Sequence, residues 1–149
     1  AEACPVSLAI SLHATNNYLR DKLVPLNKKY PIEKLLETCK SYSRATNDNH
    51  ITFEYVMLKD VNDSVKEASV LIKLLDGIPA KVNLIPFNPY KNSSFERSEE
   101  RAINNFRDKL YKAGIITITR KTRGSDIDAA CGQLVGQVEQ RRKNIQNTH

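Results

Sequence analysis

The sequence predicts an α/β fold built on a parallel sheet. Short apolar runs rich in β-branched residues alternate with segments whose apolar residues recur at helical spacing. This alternation is typical of βαβ units, which pair their strands in parallel. Right-handed crossovers then place successive helices on one side of a sheet that curls towards a barrel. The 149 residues suit one domain with one core, and the four predicted strands are too few to close a barrel.

The first half of the chain is predicted to hold two strands and two helices. Residues 6–12 form an apolar run after Pro5 and predict a buried strand, and residues 16–23 predict a short helix. Pro31 suits the first turn of an amphipathic helix that ends before Asn47. Residues 51–58 predict the second strand. The apolar positions of the amphipathic helix are Ile32, Leu35, Leu36, Cys39 and Tyr42, and Cys39 is interpreted as a core residue.

The second half repeats the pattern. Residues 64–67 match a capping box, so a helix is expected from there to Gly77. Residues 81–85 predict the third strand, and residues 87–95, rich in Asn, Ser and Pro, predict a loop. A helix ending at Gly114 and a strand over residues 115–119 follow, and residues 133–143 predict a last helix. We expect residues 144–149 to be frayed.

Composition bounds the functional class. The net charge of +6 and the pI of about 9.3 favour a polyanionic partner. Three cysteines at irregular spacing argue against a disulfide framework and against a closed zinc site. No apolar run approaches the roughly 18 residues of a membrane span, and no secretory signal opens the sequence, so we expect a cytosolic location.

Cys131 is the strongest candidate for a reactive side chain. It is followed by Gly132, just ahead of a helical pattern, and the basic run of residues 120–123 lies nearby. A helix N-terminus and neighbouring cations both favour the thiolate, which is the nucleophilic form. A buried structural cysteine explains the local spacing equally well.

The sequence around Cys131 and three other segments help to decide between a reactive and a structural cysteine. Residues 122–134 read TRGSDIDAACGQL, and LAISLHA, LVPLNKKYPI and VNLIPFNP begin at Leu8, Leu23 and Val82. In order and separation these segments resemble the RlmN-type radical S-adenosylmethionine (SAM) RNA methyltransferases over about residues 7–138. The Cys-x3-Cys-x2-Cys motif of that family is absent. The resemblance implies that residues 1–149 are the C-terminal part of a radical SAM methyltransferase domain, a partial parallel (β/α) barrel, with the iron–sulfur motif and the N-terminal domain outside this chain.

The resemblance also implies a reaction. Members methylate C2 of adenine in 23S ribosomal RNA and in certain tRNAs, and the position of Cys131 carries the methyl group as S-methylcysteine. A radical made from a second SAM at a 4Fe-4S cluster activates that methyl group, and an upstream cysteine, matched by neither Cys4 nor Cys39, resolves the protein–RNA adduct. The implied cofactors are SAM and the cluster. The implied partners are ribosomal RNA, tRNA and an external reductant such as flavodoxin, and we expect this chain alone to be catalytically silent.

Four positions match the SAM contacts of the family: Ser11, Leu12, His13 and Asn88. The first three close the first strand, Asn88 follows the third, and Cys131 lies after the fourth. Ligands of parallel α/β sheets bind at the carboxyl ends of the strands, so all should reach one face. Spacing alone favours simpler interpretations, a polar strand end for Ser11 and His13 and a turn residue for Asn88.

Other assignments stay open at this point. Arg120, Lys121 and Arg123 are candidate phosphate contacts, and a solvated basic loop explains them nearly as well. His50 and His149 receive no role. Two alternative functions remain: a Cfr-type enzyme that methylates C8 of the same adenine, and a non-catalytic RNA-binding module in which Cys131 is merely buried.

Overall fold

The computed structural model describes residues 8–46, 50–90 and 92–120, and it confirms the α/β fold with a parallel sheet. The strands of the described residues pair in the order β1-β2-β3-β4, all parallel. They are β1 (Ala9–Ser11), β2 (Ile51–Met57), β3 (Ala80–Pro86) and β4 (Ile116–Thr119). The helices are α1 (Asn17–Leu23), α2 (Ile32–Thr46), α3 (Val65–Leu74) and α4 (Glu100–Lys112), with a 3₁₀ turn at Pro25–Lys28.

These bounds confirm each element predicted within the described residues, with small shifts at the ends. The first strand is shorter than expected, and the predicted helix over residues 133–143 and the tail lie outside the described residues. Pro31 lies one residue before α2 rather than in its first turn, and its carbonyl oxygen accepts from the Leu35 amide at 2.9 Å. Within the described residues, no helix is both long and apolar enough to cross a membrane.

Local sequence signals explain where the helices begin and end. Asn16 Oδ1 accepts from the Leu19 amide at 2.8 Å, and Ser64 Oγ accepts from the Glu67 amide at 3.1 Å, so both side chains cap a helix N-terminus. Gly77 and Gly114 follow α3 and α4 with φ of 81° and 86°, a left-handed conformation that costs glycine little.

The main core lies between the sheet and the helices α2, α3 and α4. Phe53, Tyr55 and Leu84 of the strands pack there, and the rings of Tyr55 and Phe106 lie 5.2 Å apart between centroids. Cys39 is 1% exposed within this core, and burial raises the pKa of its thiol, which confirms its interpretation as a core residue. The sequence predicted one core. A second, smaller cluster forms around Leu23, Val56, Leu58 and Phe87.

The register of the sheet also defines its other face. Phe53 pairs with Val82 and Tyr55 with Leu84, and these side chains face the helices. Because successive residues of a strand point to opposite sides, the residues between them face away from the helices. Ser11 pairs with Glu54, which pairs with Asn83. We call the face that carries Ser11, Thr52, Glu54, Lys81 and Asn83 the polar face.

Candidate functional site

The chain reverses direction immediately after β1, at Leu12 and His13. The amides of both residues donate to the Glu54 carbonyl oxygen, at 3.0 and 3.2 Å, and His13 has a φ of 60°. Leu12 is fully buried, and its carbonyl oxygen accepts from the Ala14 amide and from Arg20 Nε. The polar backbone groups of Leu12 are therefore already hydrogen-bonded within the protein, and its side chain is buried in the main core.

A buried guanidinium holds the end of β1 in place. Arg20 is 6% exposed, and it donates to the carbonyl oxygens of Ser11 and Leu12, each at 3.1 Å, and to Asn27 Oδ1 at 2.8 Å. Asn27 in turn donates to Asp21 Oδ1 at 2.6 Å. Buried polar groups cost free energy unless they are hydrogen-bonded, and here they bond one another. This network ties α1 and the 3₁₀ turn to the last residues of β1.

His13 is buried as a neutral ring. Its Nδ1 accepts from the Val56 amide at 2.9 Å, which leaves the ring proton on Nε2. Burial, and then the charge of Arg20, lower the pKa of His13 from 6.5 to about 4. At neutral pH the imidazole is therefore uncharged and offers a hydrogen-bond donor at Nε2.

Asn62 joins the ends of β1 and β2. This fully buried side chain donates to the carbonyl oxygens of His13 and Val56, at 2.9 and 2.8 Å, and accepts from the Leu58 amide at 2.8 Å. The Tyr55 hydroxyl donates to the Asn62 carbonyl oxygen at 2.7 Å. The sequence reasoning missed Asn62, because Asn in a polar stretch before a helix normally indicates only a turn.

The polar face was missed as well. Thr52, Glu54, Lys81 and Asn83 are half-buried in β2 and β3, on the face that also carries Ser11. A signal for it exists in the sequence: Ile51, Phe53 and Tyr55 alternate with Thr52 and Glu54, a pattern typical of a strand with two different faces. The run of β-forming residues had been interpreted only as a strand.

The remaining predicted residues reach the same edge of the sheet or lie outside the described residues. Asn88 is exposed two residues after β3, and Arg120 directly follows β4, where its amide donates to the Leu84 carbonyl oxygen at 2.9 Å. In a parallel sheet the carboxyl ends of β1, β3 and β4 lie at one end of the sheet, so Ser11, His13, Asn88 and Arg120 all lie at that end. Cys131, Lys121 and Arg123 lie outside the described residues.

A cavity of about 350 Å³ lies between the N-terminal ends of α3 and α4, which follow the carboxyl ends of β2 and β3. Lys59, Asp63, Ser64 and Glu99 are among its lining residues, and no predicted site residue is. Lys59 Nζ lies 3.7 Å from Glu99 Oε1, an ion pair that suits a solvated groove. We therefore place the candidate site around Ser11, His13 and Asn88, at the carboxyl ends of β1 and β3, and not in this neighbouring cavity.

The described residues do not suit an iron–sulfur cluster. They contain no group of three or more His, Cys, Asp or Glu side chains that could hold a metal ion. The whole sequence has only Cys4, Cys39 and Cys131, which cannot form Cys-x3-Cys-x2-Cys. The cluster that the resemblance implies would need ligands that this chain does not supply.

Comparison with known proteins shows which proteins this chain is similar to. No family model matches the chain. A dual-specificity RNA methyltransferase RlmN from Vesicomyosocius okutanii is 59% identical over 95% of this chain, and one from Alcanivorax borkumensis is 55% identical over 96%. The match falls in the C-terminal portion of these proteins. This chain is a homologue of part of RlmN. It spans about 40% of the length of the curated relatives it matches.

A solved structure agrees with the RlmN relatives. The crystal structure of a radical SAM methyltransferase from Sphaerobacter thermophilus superposes with a TM-score of 0.79 at 48% identity, covering 86% of this chain and 37% of that one. The resemblance to the RlmN type and the α/β fold predicted from the sequence are thereby confirmed. The roles of the individual site residues stay predictions.

Proposed function

We propose that the gene product containing this chain is a radical SAM RNA methyltransferase that methylates C2 of adenine in 23S ribosomal RNA and in tRNA. The observation that carries the proposal is the identity of 55–59% to part of RlmN, and the parallel topology supports it, because Ser11 ends β1 while His13 and Asn88 each follow the end of a strand by two residues. The RlmN name of these relatives favours C2 over the Cfr-type C8 product. Residues 1–149 would be the C-terminal part of the methyltransferase domain.

The residues at the sheet edge suit SAM as a ligand. SAM offers ribose hydroxyls, adenine ring nitrogens and a carboxylate as acceptors, together with an ammonium and a sulfonium group. The Ser11 hydroxyl, the His13 Nε2–H and the Asn88 amide would bind its polar groups. Glu54 of the polar face, which neighbours Ser11 across the sheet, would attract its positive charges. When bound, SAM supplies an electrophilic methyl group and a precursor of the deoxyadenosyl radical.

Cys131 would carry the methyl group. Its thiolate attacks the methyl carbon, so that a new C–S bond forms in Cys131 while the bond from that carbon to the sulfonium breaks. S-adenosylhomocysteine leaves with the electron pair. Arg120, Lys121 and Arg123 would bind phosphates of the RNA. The cluster, its reductant and the resolving cysteine would belong to other parts of the gene product.

The decisive variant is Cys131→Ser in the full-length gene product. Because a hydroxyl is a far weaker nucleophile than a thiolate, we expect at least a 1000-fold loss of 2-methyladenosine in rRNA and tRNA, measured by nucleoside mass spectrometry, with SAM affinity unchanged. Cys39→Ala is the matched control and should retain the product. Undiminished methylation by Cys131→Ser would exclude the carrier role, and 8-methyladenosine from the wild type would favour the Cfr-type alternative.

SAM binding itself tests the cofactor site. Glu54→Gln should weaken SAM binding about 10-fold in equilibrium dialysis, roughly the value of one charge-assisted contact. Glu96→Gln, an exposed matched control, should not. A wild type that binds RNA but neither binds SAM nor methylates would support the binding-module alternative.

A further inference from the structure

The segment that connects β1 to α2 exposes aromatic and basic side chains together. Residues 17–34 contain five basic and two acidic residues. Tyr18 is 75% exposed and Tyr30 45%, although tyrosine rings are usually at least partly covered. We define the Tyr–Lys surface as Tyr18, Lys22, Lys28, Lys29, Tyr30 and Lys34.

Three of the four lysines of this surface lie beside the rings. Lys22 Nζ is 4.0 Å from the Tyr18 ring centroid, and Lys29 and Lys34 Nζ are 5.7 and 5.9 Å from that of Tyr30. Such contacts hold the cations next to flat aromatic surfaces without neutralising them. Each of the two exposed rings therefore already has a cation beside it.

The acidic residues of the segment are occupied elsewhere. Asp21 Oδ1 accepts from Asn27, and both Glu33 oxygens accept from Asn17 Nδ2 at 3.0 Å. In the part of the chain that the structure describes, no carboxylate lies within 4.0 Å of the surface's lysine ammonium groups. Their charge therefore stays available to an anionic partner.

This surface borders the candidate site. Arg20 of the same segment donates to the Ser11 and Leu12 carbonyl oxygens, and Asn17 Oδ1 accepts from the Ile32 amide at 2.9 Å. The Tyr–Lys surface is thus fixed next to the carboxyl end of β1. An RNA that brings its adenine to this edge of the sheet must pass close to it.

We infer that the Tyr–Lys surface binds the substrate RNA beside the target adenine, an inference that rests on the proposed function. The lysines bind backbone phosphates, and the Tyr18 and Tyr30 rings stack on unpaired bases. An acidic protein would also be attracted to the lysines. Two exposed rings beside a site that must admit a nucleobase favour RNA.

The chain offers a matched control of the same composition. Lys109, Tyr111 and Lys112 are exposed at the C-terminal end of α4, and Tyr111 is 71% exposed. Because α4 returns the chain from the end of β3 to the start of β4, its C-terminal end lies at the edge of the sheet opposite the candidate site. These residues have the same side-chain chemistry as the Tyr–Lys surface but lie at the end of the sheet away from the candidate site.

The test uses the full-length gene product and a tRNA transcript, with binding measured by fluorescence anisotropy at several salt concentrations. Lys22→Ala/Lys29→Ala/Lys34→Ala should weaken binding roughly 10- to 100-fold and reduce the salt slope by about 2, since each phosphate contact contributes about 0.7–0.9. Tyr18→Ala/Tyr30→Ala should weaken binding about 10-fold with the slope unchanged. Lys109→Ala/Tyr111→Ala/Lys112→Ala should stay within about 2-fold of wild type.

The outcomes separate this inference from the proposed function. If the wild type methylates RNA while the triple lysine variant binds it with wild-type affinity and salt slope, the surface assignment is wrong and the function stands. A second outcome would also contradict the inference. If the triple lysine variant keeps its RNA affinity, accepts electrons from a protein reductant more slowly than the wild type does, and accepts them from dithionite at the wild-type rate, the surface binds an acidic protein. A wild type that does not methylate overturns the function itself. Circular dichroism checks the folding of each variant, and Lys22→Gln/Lys29→Gln/Lys34→Gln replaces the triple lysine-to-alanine variant if that variant fails to fold.

Discussion

The two halves of the sheet end in different ways. At the carboxyl ends of β1 and β2, buried side chains join the strands: Arg20 binds two carbonyl oxygens of one, and Asn62 binds backbone groups of both. At the end of β4, the buried hydroxyl of Thr119 has no hydrogen-bond partner in the described part of the chain. There the backbone bond from Arg120 to Leu84 and the apolar contacts of Phe87 with Tyr90 and Phe95 hold the chain.

This difference indicates where the molecule is preorganised. A ligand site keeps its geometry when the side chains behind it fix the groups that touch the ligand. Ser11 and His13 have such support from Arg20 and Asn62, and Asn88 lies in an exposed loop. The β1–β2 end would thus position the cofactor, whereas the β3–β4 end could adjust to it.

The largest expected effect comes from removing the Asn62 side chain, which joins the ends of β1 and β2. Asn62→Ala leaves the carbonyl oxygens of His13 and Val56 and the Leu58 amide buried without partners. We expect a loss of about 4 kcal/mol in the free energy of unfolding, since each unpaired buried group costs about 1–3 kcal/mol. Urea unfolding measures it, with the exposed Asn105→Ala in α4 as the matched control. A loss below 1 kcal/mol would show that the three hydrogen bonds of the Asn62 side chain are dispensable for stability.

The second prediction concerns how the stability of the folded protein depends on pH through His13. The pKa of His13 is about 4 in the folded protein, below its ordinary value of 6.5, because the ring is buried. Between these values the unfolded chain binds a proton that the folded protein does not, so stability falls as the pH drops from about 6.5 towards 4 and is fully present above 6.5. The loss attributable to His13 amounts to about 3 kcal/mol, at about 1.4 kcal/mol per pKa unit.

Unfolding at several pH values checks this prediction. His13→Asn supplies an acceptor for the Val56 amide, tolerates the positive φ and does not titrate, so it should remove most of the pH dependence in that window. His50→Gln, at an exposed residue, should leave it in place. If His13→Asn keeps the wild-type pH profile, the buried neutral ring is not the cause.

The smallest expected effect comes from making the same substitution, Thr→Val, at the β1–β2 end and at the β3–β4 end of the sheet. Thr15→Val removes the hydrogen bond that the Thr15 hydroxyl donates to Glu67 Oε2, and should cost about 2 kcal/mol because the acceptor is charged. Thr119→Val removes a hydroxyl that has no partner within the described residues, and should change stability by less than about 0.5 kcal/mol. Equal losses in thermal unfolding would contradict the difference between the two ends.

Sequence patterns predicted the fold well because local rules agreed with one another. The alternation of strands and helices, the caps at Asn16 and Ser64, and the glycines after α3 and α4 each depend on neighbours within a few residues. The face shared by Ser11, His13 and Asn88 followed from parallel topology alone. These features need no knowledge of distant contacts.

The network at the β1–β2 end could not be predicted in the same way. Asn62 and His13 are 49 positions apart, and Arg20 looked like an ordinary charge on a short helix until the fold buried it. Burial and partners at that separation are tertiary facts, which propensity and periodicity do not encode. The polar face was within reach, because the alternation in β2 shows it.

The hydrogen bond between Val56 and His13 links residues 43 positions apart, and that from Thr15 to Glu67 links residues 52 apart. The turn after β1 therefore reaches its final shape only after α2, β2 and the start of α3 have docked behind it. Contacts this distant in sequence are slow to form, because the intervening loop must first be closed at an entropic cost. The proposed SAM site would therefore be among the last parts of the chain to fold. Recovery of SAM affinity during refolding would then report when the sheet is complete.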